Sequence, residues 1–295
     1  MDPVALGDVM RAVTVGVVEA SNHADWPVGA HVLGFGGVCE YYVGIPGINV
    51  LYKAGDNAGL PLTADLSVCS IIIGLTAWYG VNKVLQVKPG DVVVVSGAAG
   101  AVGSLVAQLC VPPSTRHAAC VALTHLLIRA KLAGAKVAGI AGSADKCAWL
   151  SKELGLDCVV NYKSDDVGAK LKAFAPDGAT CYFDNVGGAI TDAVLLQMRN
   201  NGRVAVCGSI SEYDDAWAGQ KNWNLILMRR LTVQGFICTD QIGAHLGPAR
   251  AELAKLAAEG KVKYEEDVRT GLDTYPATVR MLMSGANTGK LILKL

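Results

Sequence analysis

Two kinds of hydrophobic patterning divide the chain. Up to about residue 85 the apolar segments are short and punctuated by glycine and proline, as in VGVVEASN, WPVGAHVLGF and VCEYYVGI. Such punctuation predicts short strands joined by turns, and the alternation in GVCEYYVGI (37–45) predicts a half-exposed strand. From Asp91 onward the runs become almost wholly apolar: DVVVVSG, KVAGIAG, DCVVNY, ATCYFDNVGG, GRVAVCGSI and LTVQGFI. Runs of that kind predict strands covered on both faces, as in a parallel sheet. Helical patterning fills the spaces between them in ADKCAWLSKELG, DDVGAKLKAF, AITDAVLLQMRN and WNLILMRR. PARAELAKLAAEGKV predicts a further helix stopped by Gly260, and GKLILKL a last strand. The expectation is an α/β fold, a doubly wound parallel sheet of Rossmann type beside a β-rich unit.

Composition sharpens this picture mainly by exclusion. Hydrophobic residues make up 52% of the 295 and charged ones 18%, which suits a compact enzyme-like chain. With 26 basic and 26 acidic residues there is no electrostatic pull toward nucleic acid or an anionic membrane. The longest apolar run, Leu66 to Trp78, is too short to span a bilayer and contains Ser67 and Ser70. Asp2 and Asp8 stand where a signal peptide would be basic, so a cytoplasmic location is expected. The nine cysteines include no C-x-x-C pair and predict buried reduced thiols, and the five histidines have no partner at ligand spacing, so no metal is expected.

The chemistry concentrates where the first apolar strand ends. In SGAAGAVG, Gly97, Gly100 and Gly103 follow a strand and open a helix, with Ala98 in place of the first glycine of G-x-G-x-x-G. Gly100 allows close approach to a pyrophosphate, Gly103 allows the helix to pack on the strand, and the helix N-terminus attracts the anion. An NAD site would carry an acid at the end of the second strand; here Ala141, Gly142 and Ser143 stand there, with Lys146 just beyond. Small residues and a lysine favour a 2′-phosphate and therefore NADP(H), although the neighbouring Asp145 could itself face a ribose.

One spacing does not fit. From Gly103 to Ala141 is 38 residues instead of about 20. Removing Cys110 to Arg129 restores GSLVAQL-AKLAGAKVAGI, an uninterrupted amphipathic helix with Gly134 as its stop, so that stretch reads as an insertion. Pro112 and Pro113 force the chain out of the helix there.

GLTAWYGVNKVLQVKPGDVVVVSGAAGAVGSLVAQL, with GSADK, VVNYKS, CYFDNVGG, VAVCGSISEY and TGKLILKL in order, resembles the zinc-independent medium-chain dehydrogenase/reductases. Within them it is similar to the branch of the prostaglandin and alkenal double-bond reductases. The resemblance runs from about Val4 to Leu295, the insertion excepted. It implies NADPH-dependent reduction of the α,β double bond of an enal or enone, a small-molecule substrate, without a metal. It implies a GroES-like substrate domain over 1–80, truncated at its N-terminus because family members carry further residues there. A Rossmann domain over 81–245 with insertion 110–129 follows, and 246–295 returns to the substrate domain. Carried over residue by residue, Ala99, Gly100, Ala101, Val102 and Gly103 cradle the pyrophosphate, while Lys146 and Tyr162 hold the 2′-phosphate end. Asn185, Cys207, Gly208, Ser209, Phe236, Ile237 and Cys238 line the path to the nicotinamide, which Asn287 approaches. Tyr213 corresponds to the tyrosine beside the enone oxygen, and a homodimer is a family expectation. A quinone reductase, or a chain that binds cofactor without turnover, are the competing readings.

Overall fold

Six strands lie side by side, all parallel, in the order β6-β5-β4-β7-β8-β9. They are β4 (Val92–Val95), β5 (Lys136–Ala141), β6 (Cys158–Asn161), β7 (Ala179–Asp184), β8 (Met198–Val206) and β9 (Thr232–Gly235). The computed structural model describes residues 3–110, 134–213 and 219–295. The order follows from the all-apolar runs: Val93, Val94, Val95, Val137, Ile140 and Phe183 are each at most 1% exposed, which only a sheet covered on both faces allows. Helices α2 (Ala101–Cys110), α3 (Ala144–Lys152), α4 (Val167–Phe174), α5 (Gly188–Leu195) and α6 (Asn224–Arg229) supply that cover. Winding starts at β4 and proceeds outward through β5 and β6, then restarts on the other side at β7. A crevice therefore opens beyond the C-terminal ends of β4 and β7, where open α/β sheets place their ligands.

The N-terminal part forms a three-stranded antiparallel sheet of β1 (Thr14–Val17), β2 (His31–Gly34) and β3 (Val50–Lys53). A Cβ on Gly34 would lie 1.9 Å from the Asn49 carbonyl oxygen, so the bend in β2 admits only glycine. Residues 37–45 are not the half-exposed strand that their alternation suggests. Gly37 takes φ +82°, and the Val38 N–H turns back to the Met10 carbonyl at 2.8 Å. The segment joins no ladder, leaving Tyr41 and Val43 in solvent. A second boundary also moves: the helical pattern AITDAVLLQMRN ends as helix at Leu195, and Met198 already opens β8. There the Ala179 N–H donates to the Gln197 carbonyl at 2.8 Å, so strand pairing overrides a permissive helical sequence.

Cys110, assigned by spacing to the insertion, is instead the fully buried last residue of α2. Its carbonyl accepts the Ala135 N–H at 3.0 Å, so residue 135 returns to the point where the chain leaves the helix. The rest of the expected insertion lies outside the described residues.

Short helical turns from Ile71 through α1 (Thr76–Tyr79) to Val84 pack against α7 (Ile242–Ala258), which starts earlier than its sequence pattern and contains Pro248. A buried ion pair links that helix to the β-rich part. Asp65, wholly buried, accepts Arg250 Nη2 at 2.6 Å, Asn57 Nδ2 at 2.6 Å and the Gly55 N–H at 2.7 Å. The Arg250 guanidinium also lies 4.1 Å from the Tyr52 ring centre. Burial pushes the neighbouring Cys69 thiol up to about 12, and Asp65 adds to the effect. The chain ends with β10 (Glu266–Thr270), α8 (Tyr275–Ser284) and β11 (Lys290–Lys294), the two strands forming a parallel pair.

Candidate active site

At the end of β4 the chain makes the glycine turn that the spacing anticipates. Gly97 sits at φ +58° and its carbonyl accepts the Gly100 N–H at 3.0 Å. A Cβ on Gly103 would lie 2.3 Å from the Gly97 oxygen, so α2 approaches its strand closely only because that side chain is missing. Ala99 and Gly103 are buried, Ala101 and Val102 half-buried, and Gly100 faces solvent. The turn thus offers main chain at the N-terminus of a ten-residue helix, a setting that favours an anion.

The opposite lip of the crevice is built around a residue the sequence reading passed over. Asp184, 2% exposed at the end of β7, accepts the Ser96 hydroxyl at 3.0 Å and the Tyr182 hydroxyl at 2.8 Å through one oxygen. The same oxygen takes the Val186 and Gly187 N–H groups at 3.0 Å each, and the second takes the Thr191 hydroxyl. Burial pushes the Tyr182 phenol well above its ordinary range, and the Asp184 charge adds to the shift. Asn185 extends this network: its N–H bonds Ser96 Oγ at 2.9 Å and its Nδ2 the Ser96 carbonyl at 2.7 Å. An acid closing an otherwise apolar strand was the available signal. A carboxylate there is tolerable only when saturated with donors, as it is.

At the β5–β6 side, Lys146 lies in the first turn of α3, capped by Ser143, and its Nζ donates to the Gly285 carbonyl at 2.6 Å. Its pKa is lowered first by burial and then by the nearby charge of Lys163, and among the described residues neither lysine forms an ion pair with a carboxylate. Lys163 also escaped the sequence reading. Tyr162 follows β6, and a Cβ on Gly142 would lie 2.7 Å from its ring, so the phenol lies across that glycine. Asn287 donates to the Gly289 carbonyl at 3.0 Å, and Gly289 in turn bridges to Gly100.

The remaining predicted residues gather where β8 and β9 end. The Cys207 and Gly208 N–H groups bond the Asp184 carbonyl at 2.8 and 3.1 Å. Burial pushes the Cys207 thiol up to about 12, with Cys238 contributing, so the two sulfurs are neighbours. Phe236 packs on Tyr79 and edge-on to Phe183, while Ile237 is largely exposed. Tyr213 is 60% exposed and its phenol oxygen accepts the Ser209 N–H at 3.3 Å. That oxygen would lie 3.1 Å from a Cβ on Gly208, placing the phenol over the glycine. Gly97, Asn185, Cys207 and Phe236 thus follow the C-terminal ends of β4, β7, β8 and β9, whereas Lys146 lies in α3 and Asn287 in the loop before β11. Among the described residues no group of three or more His, Cys, Asp and Glu is placed to hold a metal, and no helix is long and apolar enough to cross a membrane.

The donor set suits a dinucleotide that carries a 2′-phosphate as well as its pyrophosphate. The exposed Gly100 main chain at a helix N-terminus fits a pyrophosphate, and the uncompensated Lys146–Lys163 pair beside Tyr162 fits a 2′-phosphate. Comparison with known proteins agrees. Residues 124–257 match the domain family described as zinc-binding dehydrogenase, and residues 1–49 the N-terminal domain of oxidoreductase. Prostaglandin reductase 1 of Bos taurus is 36% identical over 98% of this chain and 82% of its own length. The NADP(+)-dependent 2-alkenal reductase of Nicotiana tabacum is 35% identical over 98% of this chain and 78% of its own. The structure of CurA from Vibrio vulnificus in complex with NADPH superimposes with a TM-score of 0.85 at 33% identity, covering all of this chain and 82% of that one. With fold, glycine turn and relatives in agreement, the chain belongs to the zinc-independent medium-chain dehydrogenase/reductases and is an NADP(H)-dependent oxidoreductase.

Proposed function

We propose that the protein reduces the α,β carbon–carbon double bond of enals or enones. The observation that carries this reading is the Tyr213 phenol at the mouth of the crevice. Its oxygen is already engaged as acceptor by the Ser209 N–H, which leaves the phenol proton free to be donated. A donor at that point stabilises the negative charge that develops on a carbonyl oxygen as its conjugated double bond is reduced. Bound NADPH supplies the hydride to the β-carbon, and the α-carbon takes up a proton to complete the reduction. In this reading Ala99, Gly100, Ala101, Val102 and Gly103 hold the pyrophosphate, and Lys146 and Tyr162 hold the 2′-phosphate, joined by Lys163. Asn185, Cys207, Gly208, Ser209, Phe236, Ile237, Cys238 and Asn287 line the remainder of the cofactor path. Asp184 positions the Cys207–Gly208 main chain through its own carbonyl. The names of the bovine and tobacco relatives support the substrate class.

The test is NADPH oxidation followed with 2-alkenals, enones and quinones. Turnover of the conjugated carbonyls above that of quinones is expected, and Tyr213→Phe should lower kcat by about a hundredfold, the usual loss on removing one oxyanion donor. Faster turnover of quinones would make the protein a quinone reductase. NADPH binding with no oxidation in the presence of any acceptor would make it a cofactor-binding chain without turnover.

A further inference from the structure

The cofactor crevice lies beyond the C-terminal ends of the strands; another cavity, of about 750 Å³, opens at the N-terminal ends of β7 and β8. A bulge shapes it. The pairs Ala179–Met198 and Cys181–Arg203 are separated by Thr180 alone on β7, but by Arg199 to Gly202 on β8. Asn201 takes φ +60° within that detour. A Cβ on Gly178 would lie 2.9 Å from the Arg199 nitrogen, so the turn entering β7 packs directly on the bulge. The last turns of α4 and α6 bring Lys172 and Arg229 to the remaining sides.

Three cations, Lys172, Arg199 and Arg229, line this cavity against one carboxylate, Asp177, and among the described residues none of the four forms an ion pair. Two of the cations have structural uses. Each ends a helix, where positive charge is favoured, and each donates to a main-chain carbonyl, Lys172 Nζ to Pro176 at 2.6 Å and Arg229 Nη1 to Met198. Arg199 has no such use: it stands on the bulge, exposed, and its guanidinium makes no hydrogen bond among the described residues. Asn200 beside it adds an amide donor. In a chain of zero formal charge this is a local excess of two positive charges, which matches the roughly two negative charges of a phosphate monoester at neutral pH. Guanidinium forks fit phosphate oxygens, and Pro176 and Leu196 leave apolar wall for an organic body. We propose that this cavity is a second anion site, for a small phosphate monoester, with Arg199 as its principal contact and Lys172 and Arg229 supplying further charge. The six residues of β7 hold it about 20 Å from the cofactor crevice, well beyond the screening length of physiological salt, so both sites can be filled at once.

Inorganic phosphate is the probe, titrated by calorimetry into the full chain in the presence of saturating NADPH, which keeps the glycine turn occupied. Phosphate is expected to bind saturably, and more tightly than succinate, a dicarboxylate of similar charge. Arg199→Gln should weaken phosphate about tenfold, the loss of one charge-assisted contact. Asp177→Asn should tighten it about threefold, because the one negative charge in the cavity is gone. NADPH affinity should stay at the parent value in both variants. The opposite signs separate a ligand site from a loss of fold, which could only weaken binding. Absence of saturable phosphate binding overturns the proposal, as does binding that neither substitution alters. Tighter binding of succinate overturns the phosphate class, and a parallel fall in NADPH affinity overturns the independence of the cavity from the cofactor site.

Discussion

Two charged clusters in this molecule obey opposite rules. Around Asp65 the carboxylate is saturated by Arg250, Asn57 and a main-chain amide, and the guanidinium, although its Nε is left without a partner, also covers the Tyr52 ring. Around Lys146 no carboxylate forms an ion pair among the described residues: Lys163 repels it, and its ammonium donates to the Gly285 carbonyl. The first arrangement is what folding tolerates when charge is buried. The second persists because it is partly solvated, and in the proposed reading its unmet demand is what the 2′-phosphate satisfies. Pairing of opposite charges separates scaffold from proposed site more clearly than the presence of charge does.

The largest expected effect tests the paired cluster. Asp65→Asn strands a buried guanidinium and should cost about 3–5 kcal/mol in chemical denaturation. Arg250→Met added to it should recover most of that loss, since removing both charges leaves none uncompensated. If the double variant is as unstable as the single, the cluster is held together by something other than charge pairing. Next in size, Lys146→Ala should weaken NADPH by roughly ten- to a hundredfold while NADH changes little, the loss of a charge-assisted contact to phosphate. Equal weakening of both cofactors would remove Lys146 from the 2′-phosphate. Lys163→Ala should weaken NADPH by a smaller factor, about threefold to tenfold, and raise the Lys146 pKa toward its ordinary value, measurable by NMR titration.

The smallest effect concerns pH, and its sign follows from the same asymmetry. Lys146 has a lower pKa folded than unfolded, so between the two values the unfolded chain binds the extra proton and stability rises with pH. NADPH affinity should move the other way, declining as pH climbs through the folded value toward 10.5, because the phosphate needs the charged ammonium. Parallel melting and binding series run from neutral pH up to 10.5 would show the two curves diverging; curves that fall together would equate the cluster with the scaffold.

What the sequence made legible divides along similar lines. The parallel sheet could be read because both-face burial leaves an unbroken trace in runs such as Val92–Val95, and the glycine turn because sterics permit few residues there. The strand expected at 37–45 was misread because alternation records which side chains are apolar and says nothing of a neighbouring strand to pair with. The helix boundary near Gln197 was misplaced because the Ala179–Gln197 hydrogen bond that ends it is a tertiary contact. Asp65 and Arg250 lie far apart in sequence, so no local pattern connects them. Lys163 emerges only once the pairing of Ala141 with Asn161 sets the ends of β5 and β6 side by side. Asp184 was visible as an acid ending an apolar strand, yet its five donors come from four separate positions around the turn and from a different strand.

The bridge between Gly100 and Gly289 spans nearly two-thirds of the chain's length. In a protein made from its N-terminus, the glycine turn is therefore synthesised long before the strand that completes it. Loop closure of that span is a late and entropically costly contact. Competence to bind a dinucleotide should therefore arrive as one of the last events of folding, and ligand capture would report that the C-terminal strand has docked.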